Sequence, residues 1–181
     1  RMLGRVDAGE TLFQDHAALQ PEAPIRLWGH AEAGSGVSIA FAGQAVTAHA
    51  DADGRWEATL PAQAAGGPHV LVVKAGRTTQ VVRDIRLGDV WLCAGQSNME
   101  LPVWRALDAR SEIASATHPD IRLFVVPQGS AVRPQSRFAG EVRWQAASPE
   151  SARDFSAACL YFAHELRKTL DVPMGLIQAA W

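Results

Sequence analysis

Residues 88–100, GDVWLCAGQSNME, constrain the fold of this chain more than any other segment. Residues 90–94 are apolar without alternation, which predicts a short strand covered on both faces. Gly95 then permits a tight turn, and Ser97 follows where a helix is expected to begin. In open α/β sheets, ligands bind beyond the carboxyl ends of the strands. We therefore expect Ser97 to lie at a ligand-binding edge of a parallel sheet.

A serine at such a turn has two interpretations. It can be a nucleophile whose own amide N–H helps to hold an oxyanion. It can also be a helix N-cap, because Ser and Asn are preferred caps in proteins of any function. Gln96 and Asn98 flank Ser97, and each could either orient a substrate or brace the turn. The choice between nucleophile and cap needs evidence from the rest of the chain.

The chain before about Arg86 has the pattern of an all-β region. Apolar residues alternate at Val37, Ile39 and Phe41 and again over residues 56–60, which predicts strands with one buried face. Further strand-like runs follow turns that contain Gly or Asp. Short strands at this spacing predict a small β-sandwich over residues 1–87. Because so small a unit buries a limited core, we expect it to pack against the part that follows.

After Gly88 the predicted strands alternate with helices. Residues 90–94, 121–126 and 174–179 are strand-like, and this alternation predicts a parallel, doubly wound sheet. We expect residues 174–179 to end the sheet and to need a further neighbouring strand. The polar loop at residues 127–140 is long enough to border a substrate cleft. Apolar residues at helical spacing define the face of one clear helix: Phe155, Cys159, Phe162, Leu166 and Leu170.

Composition excludes few functions but points away from two partners. Hydrophobic residues make up 48% and charged residues 20% of the chain, which is ordinary for a protein that buries a core. A formal net charge of −2 gives no electrostatic reason to expect nucleic acid or an anionic membrane. No apolar run approaches the roughly 18 residues of a membrane span. Residues 1–5 lack the apolar core of a signal peptide, but a secreted protein looks the same once its leader is removed.

The two cysteines and the histidines predict no metal site. Cys93 lies in the apolar strand and Cys159 on the apolar helix face, so two buried free thiols are expected, although a disulfide stays open if the Cα atoms lie within about 7 Å. No histidine is spaced to complete a zinc site with them. His16 is expected to tie the start of the chain to the later part, and His164 to be solvated. The others are expected on strand or loop surfaces: His30, His49, His69 and His118.

The segment 88–100 resembles the nucleophile block of the sialate O-acetylesterase-like carbohydrate esterases, in the SGNH hydrolase superfamily. Further blocks match in the same order: LFQDHAALQ at 12–20, DADGRW at 51–56, IRLF at 121–124 and PMGLIQ at 173–178. The resemblance covers nearly the whole chain. It implies an all-β sandwich (1–87) followed by the first part of an α/β SGNH hydrolase domain (88–181), which is flavodoxin-like and three-layered.

The resemblance also implies a chemistry. The family hydrolyses acetyl esters on sugar hydroxyls without a metal or organic cofactor, and Ser97 matches its nucleophile, with Gln96 and Asn98 beside the oxyanion site. The family's Gly-Gly-Thr turn, later asparagine and Asp-x-x-His pair have no counterpart up to Trp181. We therefore expect the base from a further segment of the same polypeptide or a second chain derived from it. Such an enzyme would be secreted or periplasmic.

Two other functions stay open. One is a non-catalytic carbohydrate-binding or interaction module that keeps a residual hydrolase lobe, which an Asp-x-x-His pair in the continuing polypeptide would argue against. The other is a lipid or peptide esterase, which is disfavoured because no G-x-S-x-G elbow is present. Trp104, in a loop near Ser97, is the best candidate for a sugar platform, whereas the remaining tryptophans are expected in the core.

Overall fold

The computed structural model describes residues 7–8 (backbone only), 12–133, 138 and 140–181. Residues 1–5 and part of the polar loop, 134–137 and 139, thus lie outside the described residues. The strands are β1 Asp7–Ala8, β2 Ala18–Leu19, β3 Ile25–His30, β4 Gly36–Phe41, β5 Gln44–His49, β6 Arg55–Leu60, β7 Gly66–Ala75, β8 Thr78–Leu87, β9 Asp89–Gly95, β10 His118–Val125, β11 Trp144–Ala147 and β12 Met174–Ala180. The helices are α1 Ser97–Glu100, α2 Ala109–Ala114, α3 Pro149–Arg153 and α4 Ala157–Arg167, with a 3₁₀ turn at Val103–Arg105.

The strands before Gly88 form two sheets. One has the order β1-β3-β6 and the other the order β2-β8-β7-β4-β5. The alternation seen in the sequence sets which side chains are buried, so that Val37, Ile39 and Phe41 all face inward from β4. Leu27 and Trp56 of the first sheet join the same hydrophobic cluster as these residues. The predicted one-faced strands are confirmed at these positions.

The later strands form a four-stranded sheet in the order β11-β10-β12-β9. Strands β9, β12 and β10 run parallel and contain the three predicted strands, whereas β11 pairs antiparallel with β10. The prediction of a wholly parallel sheet was therefore wrong at this edge. β11 has only four residues, which is too short for a periodic pattern to reveal it.

Two expectations about the edge of this sheet were wrong. β12 is not the end strand, because it hydrogen-bonds to β10 on one side and to β9 on the other. Among the described residues β9 pairs with β12 alone. Its residues Trp91 and Leu92 are 38% and 68% exposed, so the expected burial on both faces does not hold here. An apolar run indicates a strand suited to burial, but it does not say which neighbour covers it.

The two parts of the chain share one core, as expected for a small β-region. Phe124 and Trp144, from β10 and β11, belong to the cluster that fills the space between the first two sheets. The Trp144 indole N–H also donates to the Leu12 carbonyl at 3.2 Å. A Cβ on Gly175 would lie 2.5 Å from the Ala18 Cβ, so β2 can approach β12 this closely only because residue 175 has no side chain.

A buried arginine links the same two parts. Arg122 of β10 is 1% exposed and donates to both carboxylate oxygens of Asp84 in β8, at 2.8 and 3.0 Å. His16 Nδ1 lies 2.7 Å from the same carboxylate, and its carbonyl accepts from Arg122 at 3.3 Å. The hydrogen bonds from Arg122 lower the pKa of Asp84 to about 2, against the opposing effect of burial. His16 thus ties the chain start to the later part, as predicted.

Helix α4 differs from its predicted face. Phe162 is 40% exposed, while the buried positions are Ala157, Cys159, Leu160 and Ala163. His164 was expected to be solvated but its side chain is only 17% exposed, because its ring packs against His118 with 4.8 Å between centroids. Burial is the main cause that lowers the pKa of His164. None of the described helices is long and apolar enough to cross a membrane.

Candidate active site

Ser97 is the first residue of α1 and follows β9 after a two-residue connection. The N-cap is Gln96, whose carbonyl accepts from the N–H groups of Met99 and Glu100 at 2.8 and 3.0 Å. Capping therefore does not account for Ser97, whose side chain is exposed. The amide N–H of Ser97 belongs to the first turn, where N–H groups have no partner within the helix. The turn presents a hydroxyl and a free amide donor from the same residue.

Gln96 and Asn98 do not brace this turn through their side chains. The Gln96 side chain forms no cap hydrogen bond, and both residues are exposed. The turn is held instead by its backbone: the Trp181 N–H donates to the Gly95 carbonyl at 3.1 Å. The end of β12 therefore fixes the end of β9.

A disulfide anchors the strand that leads to Ser97. Cys93 of β9 and Cys159 of α4 are bonded, with 6.0 Å between their Cα atoms, so the prediction of two free thiols was wrong. Both residues were correctly placed on apolar surfaces. Because α4 packs its buried face over the sheet, those two surfaces meet, and the thiols lie within bonding distance.

The chain after α1 is fastened to the start of α4. The Val103 N–H donates to the Phe155 carbonyl and the Ala157 N–H to the Leu101 carbonyl, each at 2.9 Å. Ser156, fully buried, caps α4 by accepting from the Cys159 N–H at 3.2 Å, and its hydroxyl lies 3.6 Å from the Met99 sulfur. These contacts position α1, and with it Ser97, against α4.

A cavity of about 640 Å³ opens beside Ser97. Its wall is built by α1, the 3₁₀ turn, the ends of β10 and β12, and the start of the polar loop at Pro127 and Gln128. Gln128 donates from its amide to the Glu100 carboxylate, which joins the loop to α1. The polar groups that face the cavity are Ser97, Glu100, Arg105, Gln128, Asp154 and Gln178.

Trp104 lies in the cavity wall, where the sequence placed the sugar-platform candidate. It is 48% exposed, with the guanidinium carbons of Arg105 and Arg153 at 5.8 and 5.6 Å from the centroid of a Trp104 ring. Such spacing permits cation–π attraction. Trp28 and Trp181, expected in the core, are instead 47% and 66% exposed.

The described histidines do not line this cavity. The His16–Asp84 pair has the spacing of a catalytic pair but meets Arg122, at the opposite end of the sheet. Arg122 aligns with Gly175, which aligns with Val90 of β9. That level is five residues before Gly95, or about 16 Å along the strand. The pair therefore cannot deliver a base to Ser97.

No family model matches this chain. It is similar to the curated sialate O-acetylesterase of Rattus norvegicus, at 30% identity over 172 residues, covering 86% of this chain and 32% of the relative. The Homo sapiens sialate O-acetylesterase is 29% identical over 175 residues, covering 86% and 33%. The chain therefore spans about a third of the length of these relatives.

A solved structure gives the same result at the level of the fold. A carbohydrate acetylesterase from Xanthomonas citri superposes with a TM-score of 0.92 and 39% identity, covering 99% of this chain and 40% of that one. The fold is thus that of part of a carbohydrate acetylesterase. More particularly, the resemblance to the sialate O-acetylesterase-like carbohydrate esterases is confirmed over the part of those proteins that the chain spans.

Proposed function

We propose that this chain carries the nucleophile of a serine esterase that removes O-acetyl groups from sugars. The observation that carries the proposal is the position of Ser97. It is exposed at the first turn of α1, directly after parallel strand β9, beside a cavity of about 640 Å³. A nucleophile needs this exposure together with a nearby oxyanion donor, and the Ser97 amide supplies one.

The reaction follows the serine hydrolase scheme. The Ser97 Oγ attacks the acetyl carbonyl carbon while a histidine, oriented by an aspartate, takes the hydroxyl proton. The oxyanion is held by the Ser97 amide, a glycine amide and an asparagine side chain. The histidine returns the proton to the departing sugar oxygen. Water then attacks acetyl-Ser97 and releases acetate. No step uses a metal or an organic cofactor.

We further propose that residues 1–87 form a β-sandwich and residues 88–181 the first part of an SGNH hydrolase domain. The histidine, the aspartate, the glycine amide and the asparagine then belong to a further segment of the same polypeptide, or to a second chain derived from it. The free edge of β9 and the exposed Leu92 support a partner at this edge. The Cys93–Cys159 disulfide supports a secreted or periplasmic protein, because disulfides persist in oxidising compartments.

Substitution of the nucleophile tests the proposal. Ser97→Ala in the full-length protein should lower acetate release from O-acetylated sialic acid or from an acetylated plant-type oligosaccharide by about 10³-fold or more. Ser38→Ala, at an exposed serine of β4, is the matched control and should keep normal turnover. Activity of Ser97→Ala equal to that of the control would contradict the proposal.

The proposal also predicts that residues 1–181 alone are a poor catalyst. A positioned general base contributes roughly 10²–10⁴-fold to such a reaction, and no described histidine lines the cavity. Acetate release by the isolated, folded chain should therefore be at least about a hundredfold slower than by the full-length protein. Comparable, Ser97-dependent rates for the two would place the base within this chain.

A further inference from the structure

Gln178 is the most buried of the polar side chains that face the cavity. It lies on β12, is 7% exposed, and shares the cavity with Ser97. Its backbone is fixed on both sides, since Gln178 aligns with Cys93 of β9 and with Val125 of β10. A buried amide has to satisfy its polar atoms, so the direction in which each atom points carries information.

The orientation of the Gln178 amide follows from its one hydrogen bond. The Gln178 Oε1 accepts from the Ser156 N–H at 2.8 Å. A backbone N–H can only donate, so the amide oxygen must occupy this position and the NH₂ group must point away from it. Within the described part of the chain the NH₂ group meets no acceptor. It is also not among the buried polar atoms that lack a partner, and it therefore opens onto the cavity.

This donor is held in place before any ligand binds. Ser156 is fully buried and begins α4, which the Cys93–Cys159 disulfide joins to β9. The Gln178 amide thus loses little conformational freedom when it binds a ligand. A fixed N–H pair facing a cavity calls for an oxygen acceptor on the molecule that fills it.

We infer that the Gln178 NH₂ group donates a hydrogen bond to a sugar hydroxyl oxygen of the acetylated substrate. The inference rests on the proposed function and adds a residue that binds the sugar. Gln178 lies two residues before Ala180, which aligns with Gly95 at the turn, so its Cα is about 7 Å along the strand from that level. The reacting carbonyl must lie beside Ser97, so the Gln178 donor faces a different part of the substrate.

Two substitutions separate this role from that of holding α4. Gln178→Glu keeps an oxygen that accepts from the Ser156 N–H but has no N–H to donate, whereas Gln178→Met loses both functions. The measurement is kcat/KM in the full-length protein for an O-acetylated sugar, divided by kcat/KM for 4-nitrophenyl acetate, which has no sugar. This ratio does not depend on the fraction of enzyme that is folded.

Both variants should lower the ratio roughly tenfold, mainly through a higher KM for the sugar, as expected for one lost hydrogen bond. Gln178→Met should also lower the melting temperature, and Gln178→Glu should lower it less. Gln145→Met, on β11 outside the cavity lining, is the matched control and should leave the ratio unchanged.

An unchanged ratio in both Gln178 variants would overturn the inference, and so would an equal loss on the two substrates. Ser97→Ala is assayed beside them. Loss of turnover in Ser97→Ala with an unchanged ratio in the Gln178 variants would overturn this inference alone. Turnover that survives Ser97→Ala would overturn the proposed function and this inference with it.

Discussion

At the scale of single residues, Arg122 and Asp84 carry the link between the two parts of the chain. Arg122 is among the largest fully buried side chains. Its charge is tolerated there because Asp84 accepts two hydrogen bonds and the carbonyls of His16 and Pro119 accept others. Removing one partner of a buried pair leaves the other charge uncompensated, which costs more than the pair itself contributes.

Asp84→Asn should lower the free energy of unfolding by about 3 kcal/mol. Asn is the suitable replacement because residue 84 has φ of 57°, a backbone region that Asn tolerates. Glu57→Gln breaks the exposed Arg26–Glu57 pair, whose side chains are 69% and 55% exposed, and should cost less than about 1 kcal/mol. Urea unfolding of the three proteins measures both values, and equal effects would contradict this account of Arg122.

The same pair has a predictable pH dependence. The pKa of Asp84 is lowered from 3.8 to about 2, so its stabilising effect is fully present above pH 3.8 and is lost as the pH falls through about 2. The difference in stability between wild type and Asp84→Asn should therefore shrink between these two values. A difference that stays constant over this range would contradict the assigned pKa.

The sequence identified some of these residues and not others. Ser97 could be predicted because a local pattern of strand, glycine and helix start places it at an exposed turn. Arg122 and Gln178 each look like one polar residue within an apolar strand. Their roles depend on Asp84 and Ser156, which lie 38 and 22 positions away. No local pattern reports such partners.

At the scale of elements, strands were predicted where alternation or apolar runs were long enough to recognise. β4 and β6 followed from period-two alternation, and β9, β10 and β12 from short apolar runs. Strand order was not predictable in the same way. Which strand lies in the middle depends on the crossover connections, so β12 was placed at the edge although it lies between β9 and β10.

The Cys93–Cys159 disulfide joins two of these elements across 66 positions. Each cysteine was predictable as buried, but their bond depends on how α4 crosses β9. A loop of this length implies a stabilisation of about 4 kcal/mol through the unfolded state. Because β9 leads directly to Ser97, the bond also holds the site-bearing turn against α4.

The double variant Cys93→Ala, Cys159→Ala should lower the free energy of unfolding by about 2–4 kcal/mol. Guanidinium unfolding without reductant provides the measurement, with wild type in reductant as a second comparison. Both cysteines are buried, at 7% and 1% exposure, so the folded wild type should resist reduction. A double variant as stable as the oxidised wild type would mean that the bond contributes nothing to stability.

At the scale of the whole molecule, one hydrophobic cluster unites the β-region with β10 and β11, while the site lies at the far end of the parallel strands. The packing that joins the two parts is therefore separate from the surface that holds Ser97. Such a division leaves the β9 edge and the cavity accessible to further polypeptide. It is consistent with a chain that spans about a third of its curated relatives.

The most direct test of the central claim is to identify the residue that a serine-directed reagent modifies. The full-length protein is treated with a fluorophosphonate until its acetylesterase activity is lost, and its peptides are then analysed by mass spectrometry. The account predicts one adduct, on Ser97, that grows in proportion to the loss of activity and is absent from Ser97→Ala. Complete inactivation with Ser97 unmodified and the adduct on another serine would contradict it.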